Sequence, residues 1–342
     1  MQDFAHTIAA WLSAQLPGVP PVEIVDTTEP AQGFSSRTIL FTARWREEEC
    51  PLVARIQRDV AVPMLADVFH QHRVMTAIAA NSAVKVPIIA FTENDPAIVG
   101  APFFIMERLY GRVPSDFPSY HQQGWFADLP VAERTRCWWN GVEEMARLHR
   151  IDWRCFPFLS GGTETLPDAV FYLDHFVGNW FEWARNSKSF PVIEDALTTL
   201  KANAPPAAAS GLVWNDARLG NTMYESDGTG VVSLLDFEVA TLGPPEVDLA
   251  HWVYLDEIFS ENFGVPRIDG LPRGPEAVAG FEHIYGRAMP HFSYYMAVAA
   301  LKILILSVRS YANEKHMGAP AALPDFLVDR LAHYLAEFKA GR

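Results

Sequence analysis

LVWNDARLGNTMYESDGTGVVSLLDFE, residues 212–238, decides the reading of the chain. Two strand-like runs, NTMY and VVSLLDF, flank ESDGTG, and an Asp-Gly between such runs marks a β-hairpin turn. The sequence midpoint of Asn221 and Asp236 falls between Gly228 and Thr229, at the turn itself. An antiparallel ladder closed there would set those two residues opposite each other, about 5 Å apart. An amide oxygen and a carboxylate at that separation can share one hard cation such as Mg²⁺, which takes oxygen ligands and keeps several waters. Asp216 lies just upstream, in the loop that feeds the first strand. The other reading leaves the turn ordinary, with the two carboxylates capping neighbouring turns, and local geometry does not choose between them.

The whole chain narrows the choice. At 342 residues it is long enough for two lobes, each with its own core, and a composition 49% hydrophobic and 20% charged is that of an ordered globular protein. Against 41 acidic residues stand 27 basic ones, giving −14, and no block of Lys or Arg offsets it. That balance argues against nucleic acid as a partner, because binding it depends on neutralising phosphates. Cys50, Cys137 and Cys155 are odd in number and lack metal-ligand spacing, which reads as reduced thiols in a cytoplasmic protein. The N-terminus carries Asp3 and no basic run, so no signal peptide is expected. Phe4, Ile8, Trp11, Leu12 and Leu16 recur there at helical spacing. The longest apolar run, 296–308, is broken by Lys302 and is too short to span a bilayer, so no membrane association is expected.

Residues 22–58 read as strands (VEIVDT, RTILFTARW, PLVARIQ) with REEEC as the turn between the last two. A helix is expected over about 64–80, then strands in VPIIAF and APFFIMERL. Past Gly111 helices dominate: 129–152, introduced by Pro130, then 167–186, the segment from Asp248, and 290–315. The Ala/Pro-rich ANAPPAAAS, 202–210, delivers the chain into the quoted stretch.

A sheet-rich first lobe, a hinge strand, a helical second lobe and an Asp-x4-Asn loop leading to a hairpin that ends in Asp together resemble the kinase-like phosphotransferases. More closely, WNDARLGN followed by LLDFEVATLGPPEVDLA, with ARLHRID and FFIMERLYGRVP, resembles the aminoglycoside phosphotransferase family over nearly the whole chain. The resemblance implies an α+β, bilobal protein-kinase-like fold, with a small β-rich N-lobe at 1–108 and a larger, mainly helical C-lobe at 109–342. It implies that Asp216 is the catalytic Asp and that Asn221 and Asp236 hold Mg²⁺ on the phosphates of ATP, or of GTP. Arg55 matches the basic residue that contacts the α- and β-phosphates, and Gln71 falls where a Glu would pair with it. The loop containing Gly33, Phe34, Ser35 and Ser36 matches the segment that folds over the phosphates. Met106 would sit behind the adenine, with the Glu107 carbonyl and Leu109 amide as its hydrogen-bond partners. Two departures stand out: Trp214 replaces the usual His two residues before the catalytic Asp, and Phe-Glu follows Asp236 in place of Phe-Gly.

Several residues carry two readings. Asp248 buttresses the catalytic loop or caps the helix that follows it. His149 is a packing residue or a catalyst, and Arg218 stabilises the loop or faces phosphate. Most of the aromatic residues of the second lobe belong to its core. In this family, however, the acceptor pocket lies among such helices, which makes Trp180, Trp183, His251 and Trp252 its candidates. An aromatic pocket favours an apolar or ring-bearing alcohol over a polycationic aminoglycoside. The resulting expectation is an ATP-dependent phosphotransferase acting on a small-molecule hydroxyl, as a monomer or homodimer. The alternative is a kinase-like binding module impaired in transfer.

Overall fold

The computed structural model describes residues 2–18, 21–30, 36–58, 67–206, 208–262, 264–312 and 323–341. Contacts divide the chain into two compact units. The first comprises Met1–Ala80, Lys85–Tyr110 and Leu235–Val239; the second comprises Asn81–Val84, Gly111–Leu234 and Ala240–Arg342.

The first unit opens with helix α1 (Gln2–Gln15), then β1 (Glu23–Thr28), β2 (Ser36–Trp45) and β3 (Glu48–Gln57). Helix α2 (Val68–Asn81), β4 (Ile89–Glu93) and β5 (Phe103–Glu107) complete it. The strands form one five-stranded sheet in the order β1-β2-β3-β5-β4, with every pair antiparallel. The turn between β2 and β3 is tighter than REEEC implied. Arg46, at φ 58°, and Glu47 make it, and Glu48, Glu49 and Cys50 join the ladder because Trp45 already pairs with Glu48. Side chains alternate across a strand. Ile39, Phe41, Leu52, Ala54, Ile56, Phe103 and Ile105 therefore meet Phe4, Ile8, Trp11 and Leu12 of α1 on one face. Arg55, between Ala54 and Ile56, points away from that core. On the same second face, Phe104 of β5 meets His72 of α2.

The second unit carries α3 (Val131–Leu148), α4 (Ala169–Tyr172), α5 (Asn179–Arg185) and α6 (Pro191–Ala202). The helix expected over 167–186 is interrupted, since a wider π-type turn over Leu173–Gly178 separates α4 from α5. Next come β6 (Gly211–Val213), β7 (Thr222–Tyr224), β8 (Val231–Leu234), β9 (Thr241–Gly243), α7 (Glu246–Glu261), α8 (Gly274–Tyr285), α9 (Phe292–Ala312) and α10 (Asp325–Lys339). Strands β7 and β8 form the hairpin, and β6 pairs with β9. Among the described residues no helix is long and apolar enough to cross a membrane.

Helix α3 packs closely on α7. The Trp252 ring meets Trp138 edge-on at 6.0 Å, and it lies so near Gly141 that a Cβ there would stand 2.7 Å from the indole. The Tyr224 hydroxyl, which donates to the Cys137 carbonyl at 2.9 Å, would be 2.8 Å from the same atom. Gly141→Ala, which improves helix propensity, is therefore expected to destabilise the protein by about 1–3 kcal/mol through overpacking. A urea titration checks this, and a gain in stability would contradict the packing described.

Candidate active site

The loop 214–221 is built by what lies on either side of it. Strand β6 ends at Val213, which pairs with Thr241 of β9, and α7 begins three residues after β9. Asp248 thereby lands in the first turn of α7. Pro245 precedes that helix and no side chain caps it, so Asp248 is not a cap. Its fully buried carboxylate instead accepts the Trp214 amide at 2.6 Å and the Asn215 amide at 2.8 Å. His149, also buried, holds the same carboxylate through Nε2 at 2.8 Å.

Asn215 has φ 75°, a left-handed conformation that Asn tolerates better than most residues. The Tyr172 hydroxyl donates to its Oδ1 at 2.7 Å, and Lys302 Nζ reaches its carbonyl at 2.6 Å and its Oδ1 at 3.3 Å. The next residue, Asp216, receives the Asn221 Nδ2–H on Oδ2 at 2.6 Å and on its own carbonyl at 2.9 Å. Arg218 Nε donates to Asp216 Oδ1 at 3.1 Å, while its Nη1 bonds Asp116. His251 Nε2 lies 3.6 Å from Asp216 Oδ1. Both ring nitrogens of His251 are buried without a hydrogen-bond partner among the described residues.

The charges in this cluster shift one another. Burial raises the Asp216 carboxyl above its ordinary range, and Lys302 and the Asn221 amide oppose that rise. The carboxylate nevertheless keeps 30% of its side-chain surface open, enough for a small molecule to reach. Burial, reinforced by Lys302, holds His251 well below the usual imidazole value, so it is neutral at pH 7. Burial also pushes Lys302 down to about 8, against the pull of Asp248 and Asp216.

In the first unit, Arg55 stands opposite Thr38 in the β2–β3 ladder and donates to its hydroxyl at 3.2 Å. Its other arm reaches Glu238 at 3.4 Å and lies 4.0 Å from Asp236. Gln71 is buried in α2 and takes no hydrogen bond from Arg55. The expected Arg55–Gln71 contact gives way because a carboxylate binds a guanidinium more strongly than an amide oxygen does. Ser36 opens β2, and its buried hydroxyl and Arg55 Nε have no partner among the described residues. Met106 and Glu107 end β5, and the Glu107 carboxylate accepts the Ile88 amide. Leu109 follows them, half-buried. Gly33, Phe34 and Ser35 lie outside the described residues.

Two geometric expectations are corrected. The hairpin closes between Asp227 and Gly228, with Tyr224 opposite Val231, and even after an irregularity between Met223 and Tyr224 the ladder sets Thr222 opposite Leu234, so Asn221 and Asp236 are not the register partners that the midpoint implied. Trp252 faces α3 as a core residue, whereas His251, one position earlier and so about 100° round the helix, turns toward Asp216. Trp180 belongs to a run of rings. Tyr172 stacks on Phe176 at 5.6 Å, Phe176 meets Trp180 at 5.6 Å, and Trp180 meets Trp183 at 6.0 Å. Sequence reading missed Lys302, Tyr172, Asp116 and Glu238. Lys302, a charge inside an apolar run, and Glu238, the departure from Phe-Gly, carried a visible signal.

Residues 26–281 match the phosphotransferase enzyme family. The chain belongs to that family. The fold is that of kinase-like phosphotransferases. It matches, at TM-score 0.69 and 20% identity, a Ralstonia eutropha protein provisionally classed as an aminoglycoside phosphotransferase, over 98% of this chain and 96% of that one. A macrolide 2'-phosphotransferase type I follows at TM-score 0.59 and 15% identity, covering 97% and 96%. Plasmodium vivax ethanolamine kinase follows at TM-score 0.56 and 12% identity, covering 92% and 83%. Among curated proteins, mouse acyl-CoA dehydrogenase family member 11 is 26% identical over 71% of the chain, and the Arabidopsis thaliana probable acyl-CoA dehydrogenase IBR3 is likewise 26% identical over 71%. The chain spans only 31% of the length of each of these two relatives.

Two outcomes test the site. Asp248→Ala strips two buried amides of their acceptor and is expected to cost about 1–3 kcal/mol for each, read by urea unfolding. Lys302 is expected to tilt stability with pH. Above about pH 8 the folded protein releases its proton, whereas the unfolded chain keeps it to the ordinary 10.5. The unfolded state then binds more protons, so this group adds stability as pH rises from 8 toward 10.5. The stability of the protein relative to Lys302→Met should therefore increase over that window, and a flat difference would contradict the burial described.

Proposed function

We propose that the chain is an ATP-dependent phosphotransferase that moves the γ-phosphate onto a hydroxyl of a small molecule. The observation that carries this reading is the Asp216 carboxylate, partly open to solvent on its loop and held by Asn221 and Arg218. On this reading Asp216 orients the acceptor hydroxyl and takes its proton as transfer proceeds. Asn221 and Asp236 offer an amide oxygen and a carboxylate, the hard donors that suit Mg²⁺. Asn221 Nδ2 is spent on Asp216, which leaves its oxygen as the atom for a cation. When bound, the ion neutralises charge on the nucleotide phosphates. Arg55 grips the α- and β-phosphates, and its fork allows a bidentate contact where a Lys gives a point charge. The Ser36 hydroxyl and Arg55 Nε, buried and without a partner among the described residues, are donors that suit phosphate. Gly33, Phe34 and Ser35 belong to the covering loop, and Met106, Glu107 and Leu109 to the base contact.

The acceptor is an apolar or ring-bearing alcohol. Asp116 is already paired with Arg218, which also holds Asp216, so that carboxylate is not free for an ammonium group. The aromatic run through Tyr172, Phe176 and Trp180 begins at Asn215 but is buried, so of its rings the half-buried Trp183 is the one open to an acceptor.

Thermal unfolding with Mg²⁺ and ATP, then with GTP, tests the nucleotide assignment. A ligand that binds only the folded state stabilises it, by about 2.7 kcal/mol at a hundredfold excess over Kd. Asp236→Ala is expected to remove the Mg²⁺-dependent part of the shift. Asp216→Asn should keep the shift while turnover falls about 10²- to 10⁴-fold. Wild-type turnover in Asp216→Asn would overturn the catalytic assignment, and no shift with either nucleotide would favour the transfer-impaired binding module.

A further inference from the structure

We propose that Lys302 is a positioning residue of the catalytic loop: its ammonium group pins the Asn215 carbonyl and so fixes the direction in which Asp216 leaves the left-handed residue before it. The inference rests on the reading of Asp216 as the group that orients the acceptor.

Lys302 sits within α9, 5% exposed, between the buried Leu301 and Leu304. A lysine is rarely buried unless its charge is paired, and an apolar side chain of similar volume usually packs at lower cost. Here the ammonium forms no direct ion pair among the described residues. Its hydrogen bonds go to two neutral oxygens, both on Asn215. Asp248 and Asp216 contribute only their field, with neutral His251 and the Tyr172 hydroxyl in the same cluster.

The geometry explains why that expense is useful. The carbonyl of residue 215 and the amide of Asp216 share one planar peptide unit, so holding the oxygen sets the orientation of the whole plane. Asp248 ties the amide of Asn215, Tyr172 ties its side chain, and Lys302 ties its carbonyl. Without the third tether, rotation of that plane about ψ of residue 215 is opposed only from the far side of Asp216, where Asn221 and Arg218 hold it. The carboxylate would then move by the small displacement that in-line transfer cannot absorb.

Two variants test this. Lys302→Met keeps the length and the apolar stem; Lys302→Gln keeps an N–H donor without the charge. Turnover of Mg·ATP, onto an acceptor or onto water, is expected to fall about 10²-fold in the Met variant. The KM for ATP should stay within about threefold, because nucleotide binding is untouched. Its thermal midpoint at pH 7 should equal or exceed that of the wild type. The Gln variant, with a neutral hydrogen bond in place of a charged one, should recover to within about tenfold of wild type. Wild-type turnover in Lys302→Met, a loss of rate that merely tracks a lowered thermal midpoint, or a folded Gln variant as slow as the Met variant would each overturn the assignment. If the wild type turns over no nucleotide, the failure belongs to the phosphotransferase reading. The positioning role is then read from amide exchange at Trp214, Asn215 and Asp216. Faster exchange there in Lys302→Met, with the rest of the protein unchanged, supports it, and equal protection overturns it.

Discussion

The Asp248 carboxylate, buried and shared between two consecutive backbone amides, is the contact on which the geometry of the loop around Asp216 depends. Those amides belong to a chain that has just left β6 and has not yet entered β7, so no ladder partner is available to them. Buried donors without acceptors are costly, and one carboxylate meets the need of both. His149 then fixes the carboxylate, and because that histidine caps the C-terminus of α3, the loop is anchored to the ends of two helices at once. The left-handed turn at Asn215 follows from this arrangement. With the amides of 214 and 215 both aimed at Asp248, the chain must reverse sharply to present Asp216 outward, where its side chain remains partly open.

A different kind of rearrangement is visible around Arg55. Position 71 carries an amide where the resemblance expects a carboxylate, and position 238 carries a carboxylate where it expects glycine. The structure joins the two departures, since Arg55 takes Glu238 as its ionic partner and Thr38 as its neutral one. The guanidinium thus keeps negative neighbours, Glu238 and Asp236, supplied by one segment instead of by α2. On the proposed reading, the phosphate-facing Arg55 and the cation-facing Asp236 are then coupled through two residues of backbone, a shorter link than one running through a helix.

Much of this was legible in the sequence. Period-2 alternation in RTILFTARW and PLVARIQ marked β2 and β3, and helical spacing marked α1, α3 and α9, because each buries one face against a large core. The Asp-x4-Asn spacing drew attention to Asp216 and Asn221, which the structure joins by hydrogen bonds. Helices α6, α8 and α10 were missed, and the π-type turn at Leu173–Gly178 has no periodic signature that separates it from a continuous helix. The hairpin midpoint gave a wrong register because the turn closes between Asp227 and Gly228, with Tyr224 opposite Val231, and the irregularity at Met223/Tyr224 makes up only part of the difference. Tyr172, Asp116 and Glu238 reach their partners across long sequence separations, and such pairings leave no local pattern to read.

Lys302 illustrates where local pattern and function part. In an apolar helix a lone lysine looks like an interruption, and physically it is one, since its charge is held in surroundings that push its proton off toward pH 8. Replacing such groups by apolar ones is often stabilising. A buried ammonium kept on a neutral backbone carbonyl, one residue before an accessible carboxylate, is therefore hard to explain as packing. It fits the general case in which a site violates the rules that optimise stability and is supported by its surroundings. Here the support comes from Asp248 and Asp216, whose field raises the lysine's affinity for its proton, and from Tyr172, which shares the Asn215 side chain with it. Loop direction and charge balance in this cluster are consequently one problem: removing any member changes both the orientation of Asp216 and the field in which its carboxyl titrates.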